Sequence, residues 1–342
     1  MANFHLLIIN WYRQNGRDLP WRNTDNPYFI WLSEIILQQT RVQQGMSYYL
    51  KFIHKYPTLD LLANADEKEV LSLWQGLGYY SRARNLHATA KIINTTYKGV
   101  FPSSYAEILA LKGVGTYTAS AIASFGFDLP HAVVDGNVYR VISRYLDVDV
   151  PIDTGAGKKM FEALATELLG DNPPAIHNQA IMEFGAMQCV PANPNCEICP
   201  LVEQCLAFKN KTISVRPVKS TKIKTRNRYF HFALFEEEGN MIIEKRLEKD
   251  IWQHLFQLPL IETEDIDANQ AKELMYKTYD LEPDLVSEPI KHILSHQKIH
   301  ARIWKFSSLP KSKNQQKEWQ VIASKDLIDY PIPKLLDRYF NG

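Results

Sequence analysis

The chain has 342 residues, 45% of them hydrophobic and 23% charged, with a formal net charge of +1. That length suits about two domains of ordinary size, and the composition is that of a globular protein without a low-complexity tract. No apolar run approaches the roughly 20 residues of a membrane span.

The opening stretch, M-A-N-F-H-L-L-I-I-N-W-Y-R-Q-N-G, lacks a basic n-region and reads as an amphipathic helix closed by Gly16. The expectation is a cytoplasmic protein with no membrane partner. Helical periodicities then recur near 28–43, 46–55, 67–74, 82–96, 104–110, 116–125, 136–144, 157–169 and 174–188. β-type alternation is scarce up to residue 205, so the pattern predicts an all-α domain. Inside the run P-Y-F-I-W-L-S-E-I-I-L-Q-Q-T stands one acid, Glu34, among Ile30, Trp31, Ile35 and Leu37. Desolvating a carboxylate is costly, so either Glu34 points to water or the protein needs a carboxyl that keeps its proton.

In P-S-S-Y-A-E-I-L-A-L-K-G-V-G-T-Y-T-A, Ser104 and Glu107 form a capping box, and Gly113 and Gly115 permit a tight hairpin between two helices. The free N–H groups and the start of the second helix make an anion site, the helix-hairpin-helix mode of gripping DNA phosphates. Next, L-P-H-A-V-V-D-G-N-V makes Asp135 or Gly136 an N-cap candidate.

All four cysteines fall between 189 and 205 in a C-x6-C-x2-C-x5-C pattern. In a cytosolic chain such a cluster argues for metal rather than disulfides. With a single C-x2-C knuckle, Cys189, Cys196, Cys199 and Cys205 suit an iron–sulfur cube; a zinc site and a buried thiol cluster are the alternatives. Leu206 to Arg228 holds eight Lys or Arg and no acid, which reads as a solvated linker or as a phosphate contact. Beyond it, Y-F-H-F-A-L-F-E-E-E-G-N-M-I-I-E-K-R is a hairpin with a Gly-Asn turn. Further strand-like runs and a helical pattern near 268–278 follow, so an α+β domain begins near 226.

The words L-P-W-R (19–22), E-I-I-L-Q-Q-T (34–40), G-L-G-Y-Y-S-R-A-R-N-L (76–86) and V-D-G-N-V (134–138), followed by the four-cysteine loop, resemble the MutY-type adenine DNA glycosylases of the helix-hairpin-helix, endonuclease III superfamily over residues 4–205. The resemblance implies a helical glycosylase domain at 1–208, with a six-helix barrel at about 20–125 and an iron–sulfur subdomain built from 1–19 and 126–208. A basic linker at 209–225 and a Nudix-like lesion-recognition domain at 226–342 complete the expected organisation. It implies a [4Fe–4S] cluster on the four cysteines and a monomeric, nucleoid-associated enzyme. The expected partner is double-stranded DNA carrying adenine opposite 8-oxoguanine or guanine.

By the same resemblance, Glu34 is the general acid that protonates adenine N7. Asp135, ionised at a helix start, steadies the oxocarbenium ion, with Tyr117 and Asn137 supporting both. Gln39 and Tyr79 wedge into the base stack, while Trp21, Arg22, Leu37 and Gln179 line the adenine pocket. Bifunctional relatives place a lysine two residues after the second hairpin glycine; Tyr117 stands there instead, and a phenol forms no Schiff base. Hydrolysis without lyase chemistry is therefore expected. The family's Phe-Ser-His lesion loop becomes Leu294, Ser295 and His296, which loses the aromatic ring. The Nudix R-E-x-x-E-E core is absent, so no pyrophosphate hydrolysis is expected. Two other readings compete: an endonuclease III-like bifunctional pyrimidine glycosylase and lyase, and a non-catalytic iron–sulfur DNA-binding protein.

Overall fold

A computed structural model describes residues 3–220, 225–265, 267–294, 296–310 and 319–341. The chain forms two compact units, Met1–Asn64 with Asn85–Lys222, and Ala65–Arg84 with Ile223–Gly342. Residues 65–84 group with the second unit. Their burial is against residues distant in sequence, which a one-dimensional pattern does not display.

The first unit is helical. Helix Pro27–Leu37 begins with proline in its first turn, and the Asn26 side chain accepts from the Tyr28 N–H. It stops at Leu37 because Gln39 adopts φ +55°. The run expected over 28–43 therefore ends early, as Pro27–Leu37, and the helix expected over 46–55 begins sooner, as Val42–Lys55. No glycine or proline marks that break, so periodicity alone carries the helix through it. A six-residue helix, Leu59–Asn64, is too short for the period to reveal. Helices Thr116–Phe127 and Gly136–Tyr145 start at Gly115 and Asp135 respectively. Phe4, Ile8, Val138, Ile142, Phe161, Ile181 and Phe184 share one core; each fully buried side chain of this size contributes roughly 1.5–3 kcal/mol. Among the described residues no helix is long and apolar enough to cross a membrane.

The second unit is built on an eight-stranded sheet. Strand β1 (Arg226–Glu237) turns through Glu238 (φ +51°) and Gly239 (φ +77°) into β2 (Asn240–Lys245). Two positive φ values are what a two-residue hairpin of matching twist requires, so the turn lies at Glu-Gly, one residue before the Gly-Asn step read from sequence. Strands β3 (Phe256–Gln257), β4 (Leu260–Thr263), β5 (Leu285–Val286), β6 (Ile290–Ile293), β7 (Gln297–Phe306) and β8 (Trp319–Ala323) complete the sheet. β1 runs parallel to β7, with Phe230 opposite Ala301 and Phe232 opposite Ile303. Phe230, Phe232 and Leu234 enter one core, Ala233 and Phe235 the other. That alternation is why β1 reads as a continuous apolar run. Helix Ala268–Tyr279, capped reciprocally by Asp267 and Gln270, packs through Ala271, Met275 and Tyr279.

Candidate active site

Glu34 sits on helix Pro27–Leu37 with 7% of its surface exposed, and the Tyr117 hydroxyl donates to its Oε2 at 2.8 Å. Burial pushes its carboxyl up to about 7, reinforced by the nearby Asp135 and opposed by the Tyr117 hydrogen bond and Arg22. Burial also raises the Tyr117 phenol well above its ordinary range, so it stays a neutral donor.

Asp135 is the N-cap of helix Gly136–Tyr145. Its Oδ1 accepts the N–H groups of Asn137 (2.8 Å) and Val138 (2.7 Å), and its Oδ2 accepts Asn137 Nδ2 (2.8 Å). Arg140 in turn donates to Asn137 Oδ1 at 2.9 Å. The helix start alone would lower this carboxyl. Burial instead pushes it up on balance, against the three hydrogen bonds and Arg140. Both acids are desolvated, yet Asp135 accepts three hydrogen bonds and Glu34 one. A shared proton therefore belongs on Glu34.

A cavity of about 660 Å³ gathers Trp21, Arg22, Leu37 and Gln179 around Glu34, Tyr117, Asp135 and Asn137. A second, of about 540 Å³, shares Glu34, Leu37, Tyr117 and Asp135 and extends to Gln39 and Gly115. The two carboxyls thus stand where the two cavities meet. The Tyr12 hydroxyl donates to Gln179 Oε1 at 3.0 Å, which leaves the amide N–H₂ as the free end.

Sequence reasoning passed over Glu183, one helical turn after Gln179. It is 1% exposed and takes Arg17 (2.6 Å) and Arg22 (2.7 Å) on its two oxygens. Against burial, those two guanidinium groups hold it down at about 2, so its charge persists. The signal that could have found it is the i, i+4 spacing in Q-A-I-M-E.

In the hairpin, Gly113 has φ +79°, and an added Cβ would come within 2.7 Å of the Asn85 side chain. Gly115 has ordinary backbone and open space where a Cβ would stand. The two glycines therefore do different work. Gly113→Ala should destabilise the fold by roughly 1 kcal/mol or more, measured by urea denaturation. Gly115→Ala should leave that transition unchanged and weaken binding to DNA of any sequence.

The four cysteines occupy the loop after helix Pro174–Met187. Arg144 donates Nη1 to Cys189 Sγ at 3.5 Å and to the Val190 carbonyl at 2.7 Å. Burial raises the Cys196, Cys199 and Cys205 thiols, Cys199 to about 12, and neighbouring cysteine sulfurs add to this. Among the described residues no three His, Cys, Asp or Glu are arranged to hold a metal ion. All four sulfur donors lie in the one stretch 189–205. An all-thiol donor set of this kind suits iron–sulfur or zinc chemistry, and a bound cation would draw the raised thiols to thiolates.

In the second unit, Tyr79 is 42% exposed with φ +50°. Leu294 and Gln297 close the turn between β6 and β7, where the Leu294 N–H donates to the Gln297 carbonyl at 2.8 Å. Leu294 packs against the sheet core, and His296 is exposed. Ser295 lies outside the described residues.

Residues 32–168 match the family described as HhH-GPD superfamily base excision DNA repair protein, and residues 230–342 match the NUDIX domain. The fold is thus that of a helix-hairpin-helix base-excision protein joined to a NUDIX-like sheet domain. The chain is 37% identical to an adenine DNA glycosylase of Buchnera aphidicola subsp. Baizongia pistaciae, covering 96% of this chain and 94% of the relative. It is 32% identical to that of Buchnera aphidicola subsp. Acyrthosiphon pisum, covering 98% and 97%. Among solved structures, a thermostable thymine-DNA glycosylase superposes with a TM-score of 0.57 at 30% identity, over 61% of this chain and 96% of that one. The chain belongs to the adenine DNA glycosylase family.

Proposed function

We propose that this protein is a DNA repair glycosylase that flips adenine out of a duplex and cleaves its glycosidic bond by hydrolysis. The observation that supports this most is the pairing of a nearly dry carboxyl, Glu34, with a hydrogen-bonded carboxylate, Asp135, at the junction of two cavities. In this reading Oε2 of Glu34 accepts from Tyr117, so the acid proton falls on Oε1 and is delivered to adenine N7. The departing purine leaves as a neutral base. Asp135, held by Asn137 and the helix start, faces the cationic sugar and stabilises it. Two titratable groups whose surroundings push them apart are the usual arrangement for such acid and anion roles.

Trp21 and Leu37 supply apolar walls for the base. Arg22, fixed by Glu183, and the free amide of Gln179 supply its polar contacts. Extruding a paired base costs a few kcal/mol. Gln39 and Tyr79 both sit in left-handed backbone on exposed turns, a strained presentation that suits side chains inserted into a base stack. The hairpin at Gly113 and Gly115 grips phosphate. The partner is double-stranded DNA, and the substrate is adenine opposite 8-oxoguanine or guanine, acted on by a monomer in the bacterial nucleoid.

The four thiols would hold a [4Fe–4S] cluster, and Arg144 would neutralise part of its charge. When bound, that group anchors the loop 189–205, while each chemical step belongs to the side chains named above.

A single-turnover assay on duplexes with adenine opposite 8-oxoguanine tests the function: free adenine should appear, and borohydride should trap no covalent enzyme–DNA adduct. A trapped adduct, or release of a pyrimidine instead, would reverse the reading. For the second unit, deleting 226–342 would strip residues 65–84 of their packing partners, so a point change is cleaner. His296→Ala should slow adenine release opposite 8-oxoguanine more than opposite guanine. Equal slowing on both duplexes would remove this residue from lesion recognition.

A further inference from the structure

The segment 128–135, which leads into Asp135, belongs to neither a helix nor a strand. Buried backbone without a ladder must find its hydrogen bonds elsewhere. Here one side chain supplies them. Asn178, on helix Pro174–Met187 and 1% exposed, accepts the Val133 N–H on Oδ1 at 3.1 Å, and its Nδ2 donates to the His131 carbonyl at 2.9 Å. An amide that serves the carbonyl of residue 131 and the N–H of residue 133 stands in for a neighbouring strand. The second Nδ2 hydrogen goes to Ser124 Oγ at 2.8 Å, on helix Thr116–Phe127, where Ser124 is fully buried. Both amide hydrogens are therefore committed. Turned over, the amide would set its oxygen against the His131 carbonyl.

The next residue on the same helix is Gln179, which lines the larger cavity with Trp21 and Arg22, and one turn further on Glu183 fixes Arg22. A single helix thus carries the base-side contacts and, through Asn178, the lead that ends two residues later in Asp135. All these residues lie in the first compact unit. The bonds that Asp135 accepts from Asn137 and Val138 are local to its own helix start. They turn the carboxylate but do not set where that helix start stands relative to Gln179.

We propose that Asn178 is a positioning residue: by pinning residues 131 and 133 to helix Pro174–Met187, it holds the Asp135 carboxylate at a fixed reach from a base seated beside Gln179. The proposal rests on the reading of Asp135 as the anion that steadies the sugar cation, and deepens it by naming what aims that anion. Asn178 lines neither of the two cavities that meet at the carboxyls, so it acts on the reaction only through Asp135.

The test uses the full-length protein and a duplex with adenine opposite 8-oxoguanine. Active-site titration counts the folded molecules, and the rate constant with enzyme in excess reports the chemistry within them. Asn178→Ala removes all three bonds and should lower that rate constant roughly 10- to 10²-fold, the range expected when reacting groups shift by about an ångström, with affinity for the duplex unchanged. Because Asn178 acts through Asp135, the same change should cost less than about twofold in an Asp135→Asn background and its full factor in a Glu34→Gln background. If Asn178→Ala does not fold, Ser124→Ala replaces it in both backgrounds; it removes one bond of the three and should cost about threefold. Equal losses in the two backgrounds, weakened DNA binding, or a parental rate constant in the folded fraction would overturn the proposal, leaving Asn178 as a clamp on the fold alone. A rate for Asp135→Asn itself within about tenfold of the parent would instead refute the reading of Asp135, on which the aim depends.

Discussion

Glu34→Gln should bind a mispaired duplex as well as the parent protein and release adenine roughly 10²- to 10⁴-fold more slowly, the usual worth of a positioned general acid. Glutamine keeps the shape and still accepts from Tyr117, so the change removes the proton and little else. In the parent, the acid form is lost as pH rises through about 7; the single-turnover rate should then fall about tenfold per pH unit above that point. Stability supplies an independent check. A carboxyl raised from 4.5 to about 7 binds more protons folded than unfolded between those values. It therefore costs the folded state nothing below the lower value and, fully ionised above the upper one, on the order of 3 kcal/mol. Stability of this unit should decline across that window as pH rises, and Glu34→Gln should recover most of the loss at pH 8 while changing little near pH 4.5. Urea midpoints at the two pH values measure it. A variant that is active, or no more stable at pH 8, would leave the acid without its role.

Asp135→Asn should shift a melting curve only modestly, since asparagine caps a helix about as well as aspartate and its Oδ1 can still accept the N–H groups of Asn137 and Val138, while its amide N–H₂ loses only the bond that Oδ2 accepted from Asn137 Nδ2. Its effect on chemistry should be large. Removing preorganised charge from a site of low dielectric typically costs 10²- to 10³-fold or more. A single-turnover rate within tenfold of the parent would show that the sugar cation is steadied elsewhere. Asp135→Ala would confuse the two effects by losing the cap as well.

Much of the site could be read in the amino acids because short words carry it. The acid inside an apolar helix, the aspartate before Gly-Asn and the two hairpin glycines each break a local pattern, and a broken pattern is visible in one dimension. Glu183 was missed for the opposite reason. It lies on an ordinary amphipathic helix, and only Arg17 and Arg22, more than 160 residues away in sequence, reveal its charge. The ending of helix Pro27–Leu37 was missed because Gln39 takes a glycine-like conformation without being glycine. The packing of 65–84 within the C-terminal unit was equally hidden, since its local pattern is simply that of one short helix and the start of a longer one. The net direction at Asp135 also departs from the helix-terminus argument. That argument weighs the dipole and omits the burial that accompanies it.

The interleaving of the two units has a consequence for how the chain is made. Residues 65–84 leave the ribosome well before any of their partners between 223 and 342 exist. At roughly 5–20 residues per second, Lys68, Tyr80 and Arg84 wait on the order of 10–50 s for Tyr330, Ile332 and Gln253. During biosynthesis this stretch should therefore be a preferred landing site for chaperones. A transplanted C-terminal domain should fold properly on a foreign glycosylase only if that short upstream stretch travels with it.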